Sequence, residues 1–263
     1  MQSPKTTNAI SHNEVIEPLG ITMLNFCKIS FVVFIMNMLM LSSGIAARPY
    51  NFTSAKKMAK IIFYEHQETL YCACKYNNDN EINLSSCNMQ SAASIQRAHR
   101  LEWEHMMPAE NLGQHLLCWK KSLCTINQGK AFKGRKCCEK IDEKFRLAES
   151  ELYNLWPSVG LVNQVRSNYR YSMLPSHKGF YGCPFDANTQ LRKVEPADSA
   201  KGIVARANLF MADKYNIRLS AAQRKLFEAW DKQFPPSDWE KQWAGKVAEI
   251  EGYQNPYISI NRQ

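Results

Sequence analysis

The cysteines constrain this chain more than any other feature. Nine occur in 263 residues. Cys27 lies in an apolar N-terminal stretch, and eight follow: Cys72, Cys74, Cys87, Cys118, Cys124, Cys137, Cys138 and Cys183. An even set in a chain that leaves the cytoplasm reads as a disulfide framework of up to four bridges. Joining Cys72 to Cys74, or Cys137 to Cys138, would close a strained ring, so each is expected to find a distant partner. A zinc site is the rival reading. The usual two-residue spacing of ligand cysteines is missing, and Cys-Ala-Cys or Cys-Cys replaces it poorly. Disulfides are favoured.

Export has its own signal. A polar leader runs to about Gly20, Lys28 provides a positive flank, residues 29–41 are apolar, and Ser42-Ser43-Gly44-Ile45-Ala46-Ala47 offers the small residues a signal peptidase accepts. The apolar core is short beside the ~20 residues of a membrane span. Cleavage near Ala46 or Ala47 is therefore expected, with an uncleaved anchor as the alternative and Met23 as a candidate start. Residues 1–47 are read as leader and signal peptide, and residues 48–263 as one domain, monomeric and not held in a membrane after cleavage. The destination is the periplasm or the extracellular space.

Lys5, Lys28, Glu14 and Glu17 cancel within the leader, so the whole formal charge of +9 belongs to the exported part. Such an excess favours a polyanionic partner, nucleic acid above all, because association releases counterions. A merely basic exported protein is the plainer reading. A hydrophobic fraction of 45% is enough for a substantial core and excludes a disordered chain.

Apolar spacing predicts helices over residues 54–70, 142–155, 197–215, 221–233 and 239–252, with Ser220 and Ser237 as N-caps and Pro157 closing the second. Residues 97–105 alternate like a strand. Residues 118–138 are lysine-rich and irregular, and residues 169–184 fall into short extended pieces. Trp230, Trp239 and Trp243 suit helix packing. The fold class is α+β, mainly helical and disulfide-stapled.

Chemistry concentrates in Leu101-Glu102-Trp103-Glu104-His105-Met106-Met107-Pro108-Ala109-Glu110. Glu104 offers an oxygen ligand to a hard cation, and His105 offers a base near neutral pH. Together at a strand end they suggest metal-assisted hydrolysis of a phosphate ester. Taken singly, His105 is an ordinary half-buried imidazole, Asn154 a helix C-cap, and Arg166 and Asn168 loop residues. His66, His99, His115 and His177 lack a comparable context. In an ideal strand Glu104 and His105 point to opposite faces, so a shared phosphate requires the backbone to bend there.

Three segments joined together resemble the endonuclease I family of periplasmic and secreted bacterial nucleases. They are Glu102-Trp103-Glu104-His105 with Pro108-Ala109, Asn154-Leu155 with Pro157, and Val162-Asn163 with Arg166-Ser167-Asn168-Tyr169. Lys201-Gly202 with Ala205-Arg206, and Trp230-Asp231-Lys232, extend the likeness to about Pro256. The resemblance implies a ββα-metal finger. His105 would be the general base, Glu104 one metal ligand and Asn154, as the asparagine of the helix, the second. The cation would be Mg²⁺, with Ca²⁺ or Mn²⁺ as substitutes. Arg135 and Arg166 are the two candidates for the arginine that steadies the scissile phosphate. Lys133, Lys136, Asn163, Asn168 and Arg170 are expected to grip the nucleic-acid backbone. The chain departs from the family pattern at Gln164 and Val165, where an acid is common, and is longer between residues 114 and 136. The implied activity is nonspecific hydrolysis of DNA, with RNA as a second substrate, leaving 5′-phosphates. The competing reading is an exported basic protein that captures nucleic acid without cutting it. A zinc peptidase is disfavoured by the lack of a His-Glu-x-x-His helix.

Overall fold

The computed structural model describes residues 48–127, 129–175 and 178–258. The leader and signal-peptide reading lies outside these residues. No helix among them is long and apolar enough to cross a membrane. All eight later cysteines pair: Cys72–Cys183, Cys74–Cys87, Cys118–Cys138 and Cys124–Cys137. Both close cysteine couples find distant partners, as ring strain requires.

Helix α1 covers Phe52–Ile62, opened by a capping box in which Asn51 Oδ1 accepts from Ser54 N and Ser54 Oγ from Asn51 N. It stops short of the expected residue 70: Phe63 caps it, and the chain turns away through Tyr64 N on Ile61 O and His66 N on Phe63 O. Strand β1 is Leu101–His105. Next come α2 (Ala109–Gly113), α3 (Leu117–Lys120), a two-residue hairpin of β2 (Cys124–Thr125) and β3 (Ala131–Phe132), α4 (Arg135–Ile141) and α5 (Glu143–Glu149). The lysine-rich stretch thus has regular pieces after all, stapled by two of the bridges.

The helix expected over 142–155 ends at Glu149. After a 3₁₀ turn over Leu152–Asn154, the chain enters β4, Leu155–Val159, buried throughout. A short, wholly buried segment has no period that separates strand from helix, and here pairing decides. β4 runs antiparallel to β1 with Glu104 opposite Trp156 and His105 opposite Leu155. Pro157 sits inside the strand opposite Trp103 rather than closing a helix, and its carbonyl accepts from Leu70 N at 2.8 Å. Helix α6, Gly160–Arg166, follows at once and packs on both strands, giving a ββα arrangement.

A three-stranded sheet of β5 (Arg170–Tyr171), β6 (Asp186–Asn188) and β7 (Lys193–Glu195) has β7 in the middle. The C-terminal third is helical: α7 (Asp198–Lys214), α8 (Ala221–Gln233) and α9 (Asp238–Glu251), with Ser220 and Ser237 as the N-caps. Helix α7 is buried along most of its length. Gly202 allows α7 to approach the end of α8, where a Cβ would collide with the Phe234 carbonyl. Trp230 and Trp243 are core residues and Trp239 packs beside them. Buried Arg206 of α7 ties α8 and α9 together, reaching Glu240 through Nε and Nη2 (2.7 and 2.5 Å) and Asp231 through Nη1 (3.2 Å).

Candidate active site

β1 stays paired with β4 through His105, so no bend intervenes at Glu104. Expecting Glu104 to turn toward the face of His105 is therefore corrected: the pleat sends the two side chains to opposite faces of the ribbon end.

On one face the imidazole is 7% exposed. Its Nε2 lies 2.7 Å from the Glu149 carbonyl oxygen, and its ring leans on Phe52 at a centroid distance of 4.6 Å. A carbonyl only accepts, so Nε2 must carry the proton and Nδ1 must hold the lone pair. Burial, followed by the charge of Arg135, pushes the imidazole down to about 3, against the pull of the Glu149 carbonyl. Burial thus favours the neutral ring. Arg135 is half-buried beside it, ion-paired with Glu149 and lying over the Phe52 ring at 5.0 Å.

On the other face Glu104 is 3% exposed. Its Oε1 accepts from Tyr71 Oη at 2.8 Å and lies 3.0 Å from Arg166 Nε. Burial raises this carboxyl, while Arg166 and the tyrosine bond hold it down. Tyr71 Oη is 2.7 Å from Tyr171 Oη, and the Arg166 guanidinium covers the Tyr171 ring at 4.7 Å. Burial drives both phenols up, Tyr171 to about 12, so both keep their protons.

Two expected roles do not survive these contacts. Asn154 is not on a helix: it ends a 3₁₀ turn ahead of β4, fully buried. Its Oδ1 accepts from Met107 N at 2.6 Å and its Nδ2 donates to Met107 O at 2.9 Å, so the amide closes the ribbon beyond His105. The asparagine that does lie on the helix of the ββα unit is Asn163, half-buried, donating to Glu102 Oε2 at 3.1 Å. Arg166, at 1% exposure, is engaged by Glu104, Ser167 O and Met106 O, a clamp's contacts more than a phosphate ligand's. Arg135 is left as the arginine beside the imidazole.

The backbone-gripping candidates divide. Lys133 and Lys136 are exposed at the start of α4, Lys136 pairing with Glu139. Arg170 and Asn168 line a cleft of about 440 Å³ together with Arg192, Lys193 and Arg218. Asn168 is fixed there by Glu110 and by Arg192, whose Nη2 lies 2.6 Å from Asn168 Oδ1.

A family model described as Endonuclease I matches residues 50–261. The chain belongs to the endonuclease I family. Among its relatives, an extracellular deoxyribonuclease of Aeromonas hydrophila is 36% identical over 212 residues, 79% of this chain and 88% of that one. A periplasmic deoxyribonuclease of the same organism is 34% identical over 218 residues, covering 81% and 87%. Endonuclease-1 of Buchnera aphidicola subsp. Baizongia pistaciae (strain Bp) is 36% identical over 214 residues, covering 79% and 82%.

As an endonuclease I member, the chain can be tested for its fit to a divalent cation. No group of three or more His, Cys, Asp or Glu converges on one point among the described residues. Mg²⁺ does not require that, since it keeps several waters and takes substrate phosphate beside one or two carboxylates. Glu104 suits it: a desolvated carboxyl with both described contacts on the same oxygen, on a strand that packs against the helix carrying Asn163, whose amide nitrogen is bound to Glu102. The residues fit.

Sequence reading alone missed Tyr71 and Glu149, which touch Glu104 and His105, Tyr171, which touches Tyr71, and Arg192, Lys193 and Arg218 in the cleft. Tyr71 had one signal, its place beside Cys72. The others come from segments that only folding brings near.

Proposed function

We propose that the protein is an exported, Mg²⁺-dependent endonuclease that hydrolyses DNA phosphodiester bonds with little sequence preference, RNA being a second substrate. The observation that carries this reading is the setting of His105: Nε2 lies 2.7 Å from the Glu149 carbonyl oxygen, which leaves Nδ1 to accept a proton, one residue from a buried carboxylate. The relatives' names supply deoxyribonucleases outside the cytoplasm, and four disulfides suit an oxidising compartment.

In this mechanism the scissile phosphate lies across the end of the β1–β4 ribbon, reached from both faces. His105 Nδ1 takes a proton from the attacking water, and the Glu149 carbonyl keeps the ring aligned as positive charge appears on it. Arg135, the half-buried guanidinium on the same face, pairs with a phosphate oxygen. Glu104, with Asn163 in place of Asn154, would hold the cation. When bound, Mg²⁺ neutralises transition-state charge and eases departure of the 3′ oxygen, so that products carry 5′-phosphates. Lys133, Lys136 and Arg170 hold flanking phosphates, contacts that position the strand without reading bases.

Incubation with supercoiled plasmid tests this directly. Nicking in Mg²⁺ that EDTA stops supports the reading. Plasmid that is retained but never cut, with or without metal, would replace it with a binding protein.

A further inference from the structure

Glu104 does not face a cation site alone. It belongs to a closed, buried ring of four side chains, Glu104, Tyr71, Tyr171 and Arg166, contributed by β1, the segment after α1, β5 and α6. An ionised carboxylate only accepts hydrogen bonds, so Tyr71 must donate to Oε1, and Tyr171 must in turn donate to Tyr71. Arg166, the fourth member, sits over the Tyr171 face and reaches the same Oε1, although its Nε–H is not aimed well enough to count as a hydrogen bond. Tyr71 is itself anchored: the adjacent Cys72 is bridged to Cys183, whose Sγ lies 3.6 Å from the Tyr71 carbonyl oxygen.

From this geometry we infer that Tyr71 is a positioning residue for the divalent cation: its hydroxyl fixes one carboxylate oxygen of Glu104 so that the other is presented to the metal. The inference rests on the reading of Glu104 as a ligand. Without the Tyr71 hydroxyl, Arg166 is the only partner left on Oε1 among the described residues, and the carboxylate is free to rotate and offer both oxygens to the guanidinium. The cation then meets a carboxylate already neutralised by a closer positive group. Hydrogen bonds that orient metal ligands are typically worth about 10–100-fold in metal affinity. The Cys72–Cys183 bridge contributes by holding the backbone on which Tyr71 sits.

The experiment measures Mn²⁺ binding without DNA, by the loss of the free-ion electron paramagnetic resonance signal, for the wild type, Tyr71→Phe, Tyr171→Phe and Glu104→Gln. Tyr71→Phe is expected to weaken binding about 10-fold or more, with kcat at saturating Mg²⁺ within about 3-fold of wild type and the Mg²⁺ half-saturation raised to match. Tyr171→Phe, one bond removed, should weaken binding by a smaller factor and serves if Tyr71→Phe does not fold. Wild-type Mn²⁺ affinity in folded Tyr71→Phe, or in Tyr171→Phe should that variant alone fold, overturns the inference while Glu104→Gln still loses the ion. If Glu104→Gln itself binds Mn²⁺ like wild type, the ligand reading has failed, and the inference with it.

Discussion

Asn154→Ala separates two roles for one side chain. As placed, the amide satisfies both backbone groups of Met107, at 2.6 and 2.9 Å, and both residues are wholly buried. Alanine removes both partners. Leaving a buried donor or acceptor unpaired costs about 1–3 kcal/mol each, so the loss should be about 4 kcal/mol. In a domain of this size that lowers the melting temperature by about 8–16 °C, at roughly 2–4 °C per kcal/mol. The assay is urea and thermal unfolding in EDTA, where bound metal contributes nothing, followed by Mg²⁺ titration of activity below the new transition. A clamp predicts a large stability loss, with Mg²⁺ half-saturation near that of wild type in the surviving folded protein. A variant within about 1 kcal/mol of wild type that no longer binds Mg²⁺ would refute the clamp and restore Asn154 as a ligand.

Two further outcomes test the fold around the site. Burial, then the charge of Glu151, pushes Glu251 up to about 7, against Arg48, Tyr253 and the Leu152 N–H. The native state therefore keeps a proton that the unfolded chain releases near 4.5, and stability from this group is full below that pH and lost as pH rises through about 7. Urea midpoints at pH 5 and pH 8 should differ in this sense for wild type, and by less for Glu251→Gln. Arg206→Met strands the buried carboxylate of Glu240 and should cost about 3–5 kcal/mol in the same unfolding assay, a loss that Arg206→Met/Glu240→Leu should largely recover.

Much of the architecture is written in local pattern. The serine caps of the last two helices and the even cysteine count each follow from short-range chemistry, and the structure contains both; of the alternation through residues 97–105 only Leu101–His105 is strand, residues 96–99 forming a 3₁₀ turn instead. Residues 155–159 were not legible, because five consecutive buried residues have no period to read; only their pairing with β1 makes them a strand. That misreading propagated into the site. With residues 142–155 taken as helix, Asn154 became the helix asparagine, whereas the helix begins at Gly160 and carries Asn163. Arg166 could not be recognised as a buried clamp, since Glu104, Met106 and Tyr171 converge on it only through tertiary contacts. Arg135 differs by remaining half-exposed next to the imidazole.

The central claim, a neutral imidazole at residue 105 serving as base in cation-assisted phosphodiester cleavage, is tested most directly by His105→Ala. Nicking of supercoiled plasmid in saturating Mg²⁺ should fall by about 10²–10⁴-fold, the usual worth of a general base, while retention of the same plasmid on the folded variant stays near wild type. Nicking within about 10-fold of wild type by that variant would contradict the account.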